Sequence, residues 1–404
     1  MEPKPEVIKK KDSLLYINNF ITRLNQKILK CSKNSIPIAT NAITAICDKN
    51  ITLLKEYSSK GLPDDLPILR AFVWKLLLNY LPDEPKKWEE TLTQKRELYT
   101  SYKNIVEEKL EIELKEKNYK SKDLLEQIIK DVYRTNPKIS FFYEPVNKNL
   151  KNKESQDKFF EYLEKRKKST FNDIDEIYYN DKENEIHVDV LKRILFVYST
   201  IHPDISYHQG MNELLAPIFY CFSYDKSYKE ESEENIEADS FWCFDNLMSK
   251  VSLAFVSARN RGLDAKSYIF EKCLQFVDKE ISNKLNELNI RCEYYCYRWI
   301  ILLFGQEFEI NDVIKLWDII FSEDDVYYYV IYFAIAVMIM KKDIILKGEM
   351  VDIMQTLQNF EDINVDELIQ LTKKLNEKYK KNLDEFILKT KSIKNKKKDG
   401  NKKK

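Results

Sequence analysis

Glycine is scarce in this chain of 404 residues, which contains six glycines and eleven prolines. Chains with many β-turns use both residues often, because glycine supplies positive φ and proline fixes the first central turn position. The composition therefore favours long helices joined by charged loops. No two glycines lie close enough to form a G-x-G-x-x-G fingerprint or a P-loop, and the chain has no G-x-S-x-G. If this protein acts on a nucleotide, we expect a partner to hold that nucleotide.

Metal ligands and paired thiols are also few. The three histidines, His187, His202 and His208, are not enough for a histidine-rich zinc site. The seven cysteines show no metal-ligand pairing, since the closest spacing is that of Cys292 and Cys296. An odd number of thiols scattered through apolar segments is typical of core cysteines in a reducing compartment. We therefore expect no resident metal.

The chain has no excess of charge of either sign, because 66 basic and 66 acidic side chains balance. No global field favours nucleic acid, and we expect no nucleic-acid partner. The first twelve residues lack the apolar stretch of a signal peptide. The longest apolar run, Val326 to Met340, reaches about 22 Å as a helix, against about 30 Å for a bilayer core. This run predicts a buried central helix.

Helical spacing of apolar residues organises most of the chain. It predicts two or three short helices in residues 13–58, a helix that begins near Pro67, and a long charged helix over about 86–117. A further helix carries an apolar face and ends before Pro137. From 147 to about 185 the composition shifts to lysine, asparagine, aspartate and glutamate. That shift indicates an inserted, partly helical loop.

Asp131 and Arg134 lie one turn apart on the helix that precedes Pro137. Asp131 is predicted at the edge of the apolar face and Arg134 on the open side, where carboxylate and guanidinium can touch. The spacing alone favours a surface ion pair that completes a helix C-terminus. The alternative is an arginine braced by an aspartate so that its planar fork points outward to a phosphate.

Gly210 stands between Gln209 and the start of an apolar helical stretch. One interpretation is a helix junction where only glycine adopts the required backbone conformation. The other is that the missing side chain lets a partner approach Gln209. A neutral glutamine cannot be a general base, but its donor and acceptor can orient a water molecule. Tyr207 is expected to pack below this loop and hold it.

Two strings resemble the motifs of TBC domains. "IIKDVYRT" resembles the family's I-x-x-D-x-x-R motif, and "YHQGMNELLAPI" resembles its Y-x-Q-G-M motif. The matching residues are Ile128, Asp131, Arg134, Tyr207, Gln209 and Gly210. Three further segments resemble the family in the same order and extend the resemblance over about residues 58–385. Their matching residues are Arg70, Trp74, Arg298, Trp317 and Asp318.

The resemblance implies a GTPase-activating protein for Rab-type small GTPases in the GTP-bound form, with an all-α domain of two helical subdomains. Arg134 would be an arginine finger and Gln209 a glutamine finger, both supplied in trans. Asp131 would orient the arginine, while Tyr207 and Gly210 would shape the glutamine loop, supported by Ile128 in the first motif. GTP and magnesium would belong to the partner, so the protein needs no cofactor. The implied location is the cytoplasm, at the periphery of endomembranes, in vesicle trafficking.

The resemblance also sets the domain boundaries. It implies a TBC domain in residues 58–385, which leaves an N-terminal helical extension in 1–57. The lysine-rich composition of 386–404 predicts a disordered tail. The tail is typical of a solvated segment, and its charge also suits weak contact with an anionic membrane.

The sequence departs from the family at two points. Arg134 and Gln209 are 75 residues apart (209 minus 134), further than is usual, which resembles the subgroup with a long insertion between the two finger motifs. Asn79 stands where many relatives have glycine, a departure expected to affect packing only. Two other functions remain open: a TBC-fold adaptor that binds a small GTPase or trafficking machinery without accelerating hydrolysis, and an all-helical scaffold in which both motifs are core and caps.

Overall fold

Helices form the regular structure of this protein. The computed structural model describes residues 19–118, 120–146, 185–223, 232–252, 255 and 261–400, without the side chains of 114, 261–265 and 386–400. The described residues contain no β-strand, and their only β-type pairing is an isolated antiparallel bridge between Pro145 and Ile186. The predicted all-α fold is therefore confirmed.

The α-helices follow in chain order. The first nine are α1 (19–28), α2 (Ser35–Cys47), α3 (Ile51–Ser58), α4 (Pro67–Leu77), α5 (Trp88–Glu116), α6 (Lys122–Val132), α7 (His187–Ile201), α8 (Met211–Ser223) and α9 (Glu233–Val251). The others are α10 (Arg261–Val277), α11 (Lys279–Glu287), α12 (Cys296–Ile301), α13 (Ile310–Ile320), α14 (Tyr327–Met340), α15 (Lys342–Lys347), α16 (Met350–Gln358) and α17 (Val365–Gly400).

The chain divides into two compact units. Unit 1 comprises Met1–Ile51 and Pro63–Ser249, and unit 2 comprises Thr52–Leu62 and Lys250–Lys404. Most of the N-terminal helices therefore belong to unit 1, while α3 lies almost wholly in unit 2. The separate extension of residues 1–57 stays a prediction, as do the other domain boundaries.

Helix α8 is the core helix of unit 1. All thirteen of its residues are buried, and it packs against α4, α6 and α7. Helix α6 also packs against α7, as does the long helix α5. These contacts bring the end of α6 and the start of α8 into the same unit, although the insertion separates them in sequence.

Helix α4 ends in a Schellman motif that explains the departure at position 79. Asn79 has a φ of 59° and donates its N–H to the carbonyl of Leu76, while the N–H of Tyr80 bonds to the carbonyl of Lys75. This left-handed position is normally filled by glycine, and asparagine is its commonest substitute. The departure at position 79 therefore concerns the backbone: Asn79 adopts the left-handed conformation that ends the helix.

A buried ion cluster anchors α9 within unit 1. Asp239 accepts two hydrogen bonds from Arg96, one from Lys75 and one from Tyr80, at 2.5 to 2.9 Å. Burial by itself would raise the pKa of Asp239, but Lys75 and Arg96 outweigh it and lower the pKa from 3.8 to about 2. The carboxylate is therefore ionised at neutral pH.

Helix α14 is the core of unit 2 and corresponds to the longest apolar run. Eleven of its fourteen residues are buried, and it packs against α10, α12, α13 and α17. Within the described ranges, no helix combines the length and apolar character needed to cross a membrane. The predicted buried central helix is confirmed.

Two further predictions concern the insertion and the C-terminal tail. The insertion predicted for 147–185 falls almost entirely on residues 147–184, outside the described part of the chain. Helix α17 runs to Gly400, so the backbone is helical within a tail predicted to be disordered. Lysine is a good helix former, and neither proline nor glycine interrupts the tail before Gly400. The disorder of residues 386–404 stays a prediction.

Candidate functional site

Arg134 lies in the turn that follows α6. The helix ends at Val132, and two tighter i→i−3 hydrogen bonds follow, from Arg134 N–H to the Asp131 carbonyl and from Thr135 N–H to the Val132 carbonyl. Asn136 then takes a φ of 44° ahead of Pro137. The prediction that Arg134 occupies the last helical turn is therefore wrong by two residues. Its side chain is exposed and bonds back to Asp131 in the last turn of the helix.

The ion pair between Arg134 and Asp131 joins an exposed cation to a buried anion. Nη2 of Arg134 bonds to Oδ1 of Asp131, and the two side chains are 60% and 4% exposed, respectively. An exposed pair at this spacing contributes little, because water screens both partners. Here the carboxylate is fixed inside the protein and the guanidinium projects outward. The simple surface pair favoured by spacing alone is therefore wrong for Asp131.

Gly210 lies at the junction between the α7–α8 loop and α8. Its φ is 99°, a conformation that residues with a Cβ rarely adopt, and α8 begins at the next residue. Gly210 is buried, whereas Gln209 immediately before it is exposed. The backbone conformation thus accounts for the glycine, and the loop presents Gln209 to solvent.

Tyr207 connects the glutamine loop to Asp131. Its side chain is buried, and its hydroxyl donates a 2.8 Å hydrogen bond to Oδ2 of Asp131. Burial raises the pKa of Tyr207 well above its usual value, and the adjacent Asp131 carboxylate raises it further. The hydroxyl therefore stays protonated and remains a donor at neutral pH. The two oxygens of Asp131 serve the two loops separately.

Asn212 and Thr135, for which the sequence motifs predict no role, complete the network. The Asn212 amide donates a 2.7 Å hydrogen bond to Oγ1 of Thr135, and its Oδ1 accepts one of 3.2 Å from the N–H of Gly210. Both side chains are buried. A sequence signal existed for Asn212, because an asparagine inside the apolar stretch "MNELLAPI" must find buried partners. No local pattern identifies Thr135 as one of them.

Ile128 contributes packing only. It is completely buried in α6, which packs against α7 and α8, and it brings no polar atom to the network. The other residues that match the family have structural contacts of their own. Arg70 is buried and pairs with Asp64 in unit 1, while in unit 2 the buried Asp318 accepts the N–H of Leu62.

The structure thus brings five of the six predicted site residues together. Arg134 and Gln209 are both exposed, on loops joined through Asp131 and Tyr207, and Gly210 sets the backbone of the second loop. The arrangement presents a planar cation and a neutral amide to solvent. Such a pair suits recognition of an anion together with a hydrogen-bonding molecule such as water.

Comparison with known proteins identifies the family. The Rab-GTPase-TBC domain model matches residues 143–346 of this chain. Human TBC1 domain family member 13 is 30% identical over 376 residues, covering 80% of this chain and 93% of that protein. The chain belongs to the Rab-GTPase-TBC domain family. The family match includes Gln209 but begins nine residues after Arg134 (143 minus 134). The contacts of Arg134 are therefore an observation independent of this match.

Other similarities extend to yeast and to solved structures. The Schizosaccharomyces pombe GTPase-activating protein gyp1 is 23% identical over 290 residues, which cover 68% of this TBC chain and 46% of gyp1. The crystal structure of the Ypt/Rab-GAP domain of Gyp1p aligns with a TM-score of 0.61 at 20% identity. That alignment covers 88% of this chain and 96% of the other. At this identity the structure supports the TBC fold alone.

Proposed function

We propose that this protein is a GTPase-activating protein for Rab-family small GTPases in their GTP-bound form. One observation carries the proposal: a single buried carboxylate, that of Asp131, holds the exposed Arg134 on one oxygen and the glutamine loop, through Tyr207, on the other. Membership of the Rab-GTPase-TBC domain family supports it. Similarity to the GTPase-activating protein gyp1 supports it as well.

Arg134 would act on the transferring phosphoryl group. Its contact with Asp131 uses Nη2, so the guanidinium keeps further N–H donors for phosphoryl oxygens. Negative charge spreads over these oxygens in the transition state, and a planar fork of donors offsets it. The bond to Asp131 holds the side chain in position before the partner arrives, which reduces the entropy lost on complex formation.

Gln209 would position the water that attacks the phosphorus. Its amide has donor and acceptor groups but no basic site, so it orients the water without removing the proton. The exposed side chain is compatible with entry into a partner's active site. Gly210 is buried, so its part is to set the backbone conformation that presents Gln209. The nucleotide and its magnesium ion would be those of the GTPase, so this chain needs no cofactor.

The proposed reaction implies a place in the cell. A Rab regulator would work in the cytoplasm at the surface of endomembranes, in vesicle trafficking. Residues 386–404 contain nine lysines and one acidic residue. Lysines near an anionic surface contribute about 1 kcal/mol each, so we propose weak membrane contact through this tail. Sedimentation with vesicles of 30% phosphatidylserine tests it: deletion of 386–404 is expected to reduce binding, and equal binding would contradict the contact.

A panel of GTP-loaded Rab proteins tests the function itself. Phosphate release is measured for each Rab with and without the wild-type protein, and binding is measured in parallel. We expect acceleration of about 10³-fold or more for at least one Rab. A Rab that binds but is not accelerated would instead support an adaptor. If no Rab in the panel binds and none is accelerated, the structural scaffold is the interpretation that remains.

A further inference from the structure

The side chain of Asn212 bonds to Thr135 and to Gly210, the residues that follow the two proposed fingers. Thr135 comes directly after Arg134, and Gly210 comes directly after Gln209. The Asn212 amide nitrogen donates to Thr135 Oγ1 at 2.7 Å, and its oxygen accepts from Gly210 N–H at 3.2 Å. One side chain therefore spans the two loops.

The network continues into the backbone of α6. Thr135 donates its hydroxyl proton to the carbonyl of Asp131 at 3.1 Å, and the Asn212 amide nitrogen lies 3.4 Å from the same carbonyl. The second hydrogen of the amide is directed to Glu213 at 2.9 Å. Asn212 and Thr135 are 3% and 0% exposed, so water does not compete for these bonds.

We propose that Asn212, acting with Thr135, is a positioning residue that fixes the two finger loops relative to each other. This inference rests on the proposed GTPase-activating function. A water and a phosphoryl group are a few ångströms apart in the reaction, so Arg134 and Gln209 are useful only at a defined separation. A displacement of about 1 Å at such a site lowers the rate about 100-fold.

The chemistry of the position requires an asparagine. Its amide supplies a donor to Thr135 and an acceptor for Gly210 from one short side chain. Aspartate keeps the acceptor but loses the donor, and it adds a buried negative charge beside Asp131 and Glu213. An apolar residue of similar size leaves the N–H of Gly210 without this partner.

Thr135→Val and Thr135→Ser form the matched pair for the test. Valine keeps the shape of threonine and removes the hydroxyl, whereas serine keeps the hydroxyl. Ser199→Ala is the control for loss of a buried hydroxyl in α7, where Ser199 bonds to the Leu195 carbonyl at 2.7 Å. Single-turnover GTP hydrolysis is measured with the Rab that wild type accelerates most, over a range of concentrations of this protein.

We expect a lower saturating rate of GTP hydrolysis when the network is broken. Thr135→Val should lower that rate about 10- to 100-fold, with the half-saturating concentration changed by less than about threefold. Thr135→Ser should recover most of the loss. Asn212→Asp should lower the rate at least as much as Thr135→Val, because it loses the donor and also adds a buried negative charge. Because the network serves both fingers, Thr135→Val should have a smaller effect in the Arg134→Ala or Gln209→Ala background than in wild type.

Failure of this inference and failure of the proposed GTPase-activating function would give different results. If wild type accelerates hydrolysis and Thr135→Val is no slower than Ser199→Ala, the inference fails and the function stands. Equal loss in Thr135→Ser and Thr135→Val, in step with a lower melting temperature, would show a structural role and also overturn it. No acceleration of any Rab by wild type would overturn both.

Discussion

Tyr207 donates a hydrogen bond of 2.8 Å to Asp131 across 76 residues of sequence. The same carboxylate holds Arg134 through its other oxygen. Tyr207 precedes Gln209 by two residues, so the aspartate is shared by the loops that carry the two proposed fingers. The insertion between them therefore does not separate the loops in space.

The shared carboxylate predicts the effect of Tyr207→Phe. The substitution removes only the hydroxyl, so Asp131 loses a donor and is expected to hold Arg134 less firmly. We expect the saturating rate of Rab GTP hydrolysis to fall about tenfold. The free energy of unfolding should fall by about 1 to 3 kcal/mol, since a buried bond to a charged group is lost. Single-turnover kinetics and urea unfolding measure the two effects.

Tyr80→Phe is the matched control for this variant. Tyr80 is also buried and donates a 2.7 Å hydrogen bond to a buried carboxylate, that of Asp239. It should lose a comparable amount of stability and keep its activity. Equal activity losses in the two variants would contradict a specific role for Tyr207.

Arg134→Lys is expected to fail almost as completely as Arg134→Ala. Lysine keeps the charge but cannot bind Asp131 and a phosphoryl oxygen with one planar fork. Loss of an arginine finger lowers the rate about 10³- to 10⁵-fold. The free energy of unfolding should change by about 1 kcal/mol or less for Arg134→Lys, because the Arg134 side chain is 60% exposed and lysine keeps a cation near Asp131. Activity in Arg134→Lys within about threefold of wild type would contradict the finger.

Gly210→Ala tests the backbone at the second finger. An alanine at a φ of 99° is strained by about 1 to 2 kcal/mol and should shift the loop that carries Gln209. Gly61→Ala is the control, since Gly61 has a φ of 92° and an added Cβ would meet nothing within 4 Å. Both variants should lose stability, and Gly210→Ala alone should lose acceleration. Similar phosphate-release rates in the two would contradict the loop's role.

Low pH should reduce the stability of unit 1, because Asp239 becomes protonated. The pKa of this group is about 2 in the folded protein and 3.8 in its ordinary state, so its ionised form stabilises the fold. The contribution, about 2 kcal/mol, is complete above about pH 4 and is lost as the pH falls toward 2. Asp239→Asn should be less stable at pH 7 and should lack this component of the acid dependence. Parallel stability curves for variant and wild type between pH 5 and 2 would contradict it.

The sequence predicted those parts of the site that depend on local spacing. The contact of Asp131 with Arg134 follows from their separation of three residues, and the glycine before an apolar helix indicated a junction at Gly210. The burial of Asp131 was not predictable in this way, because it depends on α7 and α8. Neither was the bond from Asn212 to Thr135, which joins residues 77 positions apart. Long-range polar contacts leave no periodic signal in one sequence.

The ends of the helices were predicted with unequal accuracy. The long helix predicted over 86–117 is observed at Trp88–Glu116, so both of its ends were predicted within two residues. Helix α6, in contrast, ends at Val132, two residues before Arg134, although the sequence places the helix stop at Pro137.

The most direct test of the central claim is single-turnover hydrolysis by one Rab with wild type, Arg134→Ala and Gln209→Ala, with binding of that Rab measured for each. The account predicts that each substitution lowers the saturating rate by at least about 100-fold while the Rab still binds. Hydrolysis at the wild-type rate in both variants would contradict it.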